Sequence, residues 1–107
     1  PLGDRALTRF RRLGTDGEVS LLELDLVTGR PHQARVHLAL RGLPILGDRK
    51  YAPPGAAEGA PRPLLHARRV DLPEDPNWGD LAGRSFDAPL PEDLEALLRR
   101  RRIRYTL

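Results

Sequence analysis

The chain has 107 residues, one domain's worth, with no cysteine for disulfides or thiolate metal sites and no apolar run near the ~20 residues that span a bilayer. Eighteen basic residues against fifteen acidic ones give a formal charge of +3, but five of the arginines crowd between Arg99 and Arg104, so the body is near neutral. That excludes a diffuse basic surface as a ground for nucleic-acid binding, though not a local basic element.

Ala6 to Phe10 reads as a strand-like run, and Gly14-Thr15-Asp16-Gly17 as a turn into a second strand, Val19 to Val27. On that strand Leu22, Leu24 and Leu26 share one face, and Glu23 and Asp25 the other. Thr28-Gly29-Arg30 breaks the pattern. Pro31 suits a first helical position, where its missing N–H costs nothing, and the helix runs to about Arg41 and stops at Gly42. Pro44 to Gly47 is a short apolar piece closed by a turn. Residues 52–63, rich in Pro, Gly and Ala, form an internal loop. Leu64 to Leu72 reads as a strand ended by Pro73, residues 75–80 as a turn, and Arg84 to Ala88 as a short strand. Pro91-Glu92-Asp93 opens a last helix whose acidic first turn and basic last turn suit its dipole. Its Leu94, Leu97 and Leu98 form a docking stripe, and residues 99–107 form a basic tail. The expected fold class is mixed α/β (α+β), with a mainly antiparallel sheet and two helices.

At ~100° per residue, residues 32–41 place Gln33, His37 and Arg41 on an expected solvent face. Ala34 and Leu38 share a second arc, and Val36, Ala39 and Leu40 a third that also holds His32. Arg35 falls between these two apolar arcs. A guanidinium keeps its charge in any protein setting. Arg35 therefore either snorkels along Leu38 to water or faces a cleft and holds a carboxylate or phosphate. His32 and His37 are five apart with no third ligand nearby, which argues against zinc. His32 is expected to be half-buried and hydrogen-bonded, and His66 to be structural.

The run from Thr28 to Leu38 resembles the "TGRxHQxRxHL" motif of RluA-like pseudouridine synthases. Gly42-x-Pro44-Ile45-x-Gly47-Asp48-x-x-Tyr51 is similar to that family's "GxPIxGDxxY", Leu64-Leu65-His66-Ala67 to its "LLHA" strand, and Ala88-Pro89 with Pro91-x-Asp93 to its closing segment. Ala34 and Leu43 depart from the pattern in ways that concern packing and loop contacts, Pro63 interrupts a usually longer Leu run, and none removes Arg35. The family's catalytic Asp stands in an "HRLD" segment absent from this sequence, and Asp71 aligns elsewhere. The resemblance thus implies that residues 1–107 are the C-terminal part of a catalytic domain, an expectation that the lack of an initial Met also raises.

The implied activity is isomerisation of uridine to pseudouridine in structured rRNA or tRNA. Neither cofactor nor metal is implied, nor DNA or a membrane as partner, and the compartment is cytoplasmic. Arg35 would pair with the nucleophilic Asp, which lies outside the chain in the missing N-terminal half of the domain. Gly29 and Arg30 would suit backbone and phosphate contacts near the helix start. His32 and Gln33 would add substrate contacts, and Leu64 and Leu65 an apolar wall for the flipped base. Two readings compete. One is a non-catalytic RNA-binding module or degenerate paralogue that uses Arg99 to Arg104, a run that is otherwise a solvated helix end. The other is a structural or protein-binding domain with Arg35 paired internally.

Overall fold

The computed structural model describes residues 6–52 and 60–107. Most of the internal loop, residues 53–59, and residues 1–5 lie outside the described residues. The elements, in order, are β1 (Thr8–Thr15), β2 (Ser20–Leu26), α1 (Gln33–Leu40), β3 (Arg69–Asp71), a 3-10 helix (Pro76–Leu81), β4 (Ser85–Asp87) and α2 (Glu92–Arg100). The mixed class and the antiparallel pairing match the expectation. The strands form two separate two-stranded ribbons, β1-β2 and β3-β4, rather than one sheet.

The hairpin closes where the sequence places it. The Asp16 carboxylate accepts the amides of Glu18 (2.9 Å) and Val19 (2.8 Å) and so pins the turn. The register shifts between Arg12 and Gly14, a bulge that bends β1. The shared leucine face is not the one that meets the core. Val19 and Leu21, of the opposite parity, pack against α2, while Leu26 is 48% exposed. One apolar cluster is formed by Leu94, Leu98 and Ile103, joined by Val19, Leu21, Leu64, Leu90 and Tyr105, and Ala34, Leu38, Ile45 and Leu97 are buried as well.

The stripe on α2 is buried as its spacing predicts. Residues 99–107 begin in the last turn of α2, and Ile103 beyond it packs back onto the helix. Arg102 adopts the left-handed region (φ 56°). The amide of Arg102 reaches the Arg99 carbonyl, and that of Ile103 the Leu98 carbonyl. This bonding is a Schellman cap, with Ile103 packed on Leu98. Arg101 in turn reaches Asp16 at the hairpin tip (2.6 Å).

The strand expected over 64–72 is shortened to Arg69–Asp71. Upstream the backbone is spent elsewhere, for the Leu64 amide donates to the Leu46 carbonyl (2.8 Å). The turn expected over 75–80 is a 3-10 helix capped by Asp75, whose side chain accepts from the Asn77 amide.

The start of α1 is corrected as well. Pro31 is not helical, and His32 takes a left-handed conformation (φ 52°). The cause is Gln33, which is 4% exposed rather than on the solvent face. Its amide donates to the Arg30 carbonyl, while its side-chain oxygen accepts from the Arg30 amide (3.1 Å) and the Thr28 hydroxyl (2.6 Å). Its side-chain nitrogen donates to the Leu7 carbonyl and Thr8 Oγ1, both at 2.8 Å. One amide thus ties α1 to β1 and closes the preceding turn. The far end is a second Schellman cap, with Gly42 at φ 73° and the Leu43 amide bonded to the Leu38 carbonyl.

Gln33→Leu keeps the volume but orphans these partners. It is expected to cost roughly 1–3 kcal/mol, read as a lower denaturant midpoint, with Gln33→Glu intermediate. An unchanged midpoint would show that the latch contributes nothing.

Candidate functional site

Arg35 leaves α1 on the arc between the apolar residues and meets Asp48 in the turn beyond Ile45. Its Nε donates to Asp48 Oδ2 (3.0 Å) and its Nη2 to Oδ1 (2.8 Å), a two-bonded fork. Asp48 is 1% exposed, and its Oδ1 also accepts the amides of Lys50 (3.1 Å) and Tyr51 (3.2 Å). The turn is fixed from both sides. The Asp48 amide donates to the Ile45 carbonyl, and Leu46 is bonded to Leu64. Gly47 sits at φ 84° with the Arg62 carbonyl against it, so a β-carbon there meets both strain and collision.

Tyr51 completes the cluster. The Arg35 guanidinium carbon lies 5.1 Å from the centre of its ring and Lys50 Nζ 5.3 Å from it. The Tyr51 hydroxyl and His32 Nδ1 are 2.8 Å apart, with the two rings edge-on. His32 is therefore hydrogen-bonded but exposed, not half-buried.

The fork sets the electrostatics. The Arg35 guanidinium lowers the Asp48 pKa from 3.8 to about 2, against the opposing effect of burial, and the Tyr51 and Lys50 amides help. In return the Asp48 hydrogen bond raises the pKa of Arg35. Arg35 keeps 20% of its side chain exposed. Among the described residues no hydrogen bond is made by its Nη1, so the end of the guanidinium remains available to a second acceptor.

Of the residues singled out from the sequence, Arg35 and His32 meet in this cluster. The expected partner of Arg35 lay outside the chain; the structure supplies one inside it, Asp48. Holding a carboxylate was one of the two readings of Arg35 from the helical wheel, and internal pairing belonged to the competing structural reading; neither named Asp48. Asp48 and Tyr51 stood only as letters of a motif, and their signal was a Gly-Asp turn thirteen residues from an arginine on an apolar arc. Gln33 is spent inside the protein and is not offered to a ligand. Arg30 is exposed and Gly29 precedes it on the surface. Leu64 is half-buried against the α2 core, whereas Leu65 is 41% exposed. His66 donates from Nε2 to the Ala88 carbonyl (3.1 Å), a structural contact as expected. His37, expected on the solvent face, is half-buried and bonds Thr8 Oγ1 through Nδ1 (2.7 Å). Among the described residues no group of three metal-ligating side chains is assembled, and no helix is long and apolar enough to cross a membrane.

The chain is similar to an RNA pseudouridine synthase of Chloroflexus aurantiacus, 45% identical over 92% of this chain and 30% of that protein. It is 38% identical to the RNA pseudouridine synthase YlyB of Bacillus subtilis, over 90% of this chain and 30% of that protein. With the dual-specificity RNA pseudouridine synthase RluA of Escherichia coli it shares 49% identity over 62% of its length and 29% of the relative. The chain thus spans about 30% of the length of these curated relatives. No family model and no solved structure matches it.

The fork gives acid sensitivity a definite sign. The Asp48 pKa is lower in the folded chain than in the unfolded one, so its contribution is complete above the ordinary carboxylate range. It is lost as pH falls from about 4 toward about 2. Asp16 is also lowered to about 2, through the Val19 amide and Arg101, and adds to the same window. Stability followed by circular dichroism should fall across that interval. Asp48→Asn should flatten the fall, and an equally steep one in that variant would refute the assignment.

Proposed function

Over about nine-tenths of its length the chain is a homologue of RNA pseudouridine synthases, and on that premise we propose that it carries the arginine-bearing part of an RluA-like active site. The reaction is isomerisation of uridine to pseudouridine in structured RNA, ribosomal or transfer. In it the glycosidic bond to nitrogen breaks, the uracil rotates, and a ring carbon bonds to the sugar in its place, losing its proton while the freed nitrogen gains one. The base must leave its stack to be reached, and contacts with the rest of the RNA offset that cost.

The observation that carries this reading is the two-sided use of Arg35. Its Nε–Nη2 side is filled by Asp48, and its Nη1 end is left for another carboxylate. A nucleophilic Asp from a segment preceding this one would receive charge-assisted hydrogen bonds there. They would keep it ionised in a cleft whose desolvation favours the protonated form. Arg30 and His32, exposed before α1, suit contacts with RNA phosphates, with Gly29 allowing close approach. Leu65 presents apolar surface to the base, while Leu64 supports it from the core.

The natural polypeptide containing this chain should convert uridine in unmodified ribosomal or transfer RNA transcripts, read by mass spectrometry. Arg35→Lys, which keeps charge but loses the planar fork, should lower turnover by at least about 100-fold with the fold intact. Wild-type turnover in that variant would overturn the reading. The 107 residues alone, lacking an "HRLD" segment, should form no product.

A further inference from the structure

We propose that Asp48 and Tyr51 are positioning residues for this chemistry: together they fix the plane and direction of the Arg35 guanidinium, so that one defined end meets the reacting carboxylate. The proposal rests on the reading of Arg35 given above and adds what makes that arginine usable.

A guanidinium on a flexible side chain has two kinds of freedom, rotation within its plane and tilt of that plane. The two bonds to Asp48 remove the first, because a fork fits a carboxylate in only one relative orientation. The Tyr51 ring, 5.1 Å away, opposes the second. Each restraint is itself held. Asp48 is buried and bonded to two backbone amides, in a turn locked to residues 62–64. The Tyr51 ring is held through its hydroxyl by His32.

The pairing also changes what Arg35 offers. Asp48 compensates its charge, so attraction for a second carboxylate comes chiefly from short, directional N–H donors rather than from a long-range field. A role of this kind predicts effects on the chemical step and not on RNA affinity. A bare positive charge predicts the opposite, since removing the Asp48 charge would then strengthen the field.

Asp48→Asn is nearly isosteric but turns an acceptor of the fork into a donor facing a donor. In the natural polypeptide acting on unmodified ribosomal and transfer RNA transcripts, this variant should lower the single-turnover rate about 100-fold with KM for RNA unchanged. Tyr51→Leu should lower the rate about tenfold, and Tyr51→Phe, which keeps the ring but loses the bond to His32, should recover only part of it. Asp48→Asn at wild-type rate would overturn the proposal, as would a loss confined to KM. If Asp48→Asn does not fold, Tyr51→Leu decides, because it strands no buried charge; a wild-type rate there overturns the claim. Should Arg35→Lys be fully active, the reading of Arg35 fails and this proposal with it. Should Arg35→Lys be inactive while Asp48→Asn is fully active, only the positioning role fails.

Discussion

An arginine that cannot shed its charge emerges from α1 beside Ala34 and Leu38, both buried. The surrounding structure is arranged to answer it. The answer is a carboxylate more deeply buried than the arginine itself, and a buried carboxylate is costly unless it is paired and hydrogen-bonded. Asp48 meets that condition with the guanidinium and two amides. Those amides point inward only because the chain turns sharply at Gly47, close against the Arg62 carbonyl. The Leu46–Leu64 backbone bond then carries the restraint to the α2 core. A single charge thereby connects the first helix, the turn after it and the last helix.

What the sequence displayed well was local. The hairpin followed from turn residues and alternation, α2 from its leucine stripe, and the end of α1 from Gly42. Each signal lies within a few residues of the feature it determines. What the sequence concealed was set by distant partners. Gln33 reads as a surface residue until Leu7 and Thr8 come within reach of its amide. The arginine run reads as a tail until Ile103 finds Leu98 and Arg101 finds Asp16. Residues 64–68 have strand-like composition, but the Leu64 amide is claimed by Leu46, so the ladder with β4 begins only at Arg69.

The site was half legible for the same reason. Helical spacing alone marks Arg35 as misplaced, since position on a wheel is a local property. The identity of its partner is not. Asp48 is one of fifteen acidic residues in the bare sequence, and the fold is what brings it to Arg35. Asp71, which superficially follows a His-Ala-Arg run, is exposed and occupied by Arg69 and Ser85 on the β3-β4 ribbon.

Helix α1 then poses a question of its own. It buries few apolar side chains, and Leu40 is 81% exposed, so apolar packing alone does not explain its fixed position. Eight residues are also too few for a helix to be stable by propensity. Two polar anchors supply what packing lacks. Gln33 ties the first turn to β1, and Arg35 ties the next residues to the turn at Asp48. Hydrogen-bonded anchors add less net stability than an apolar core, but they are directional where apolar contacts are not. A helix held this way is set in one orientation without being deeply buried. Its arginine can therefore be both precisely directed and within reach of solvent, two properties that a fully packed helix could not give the same side chain.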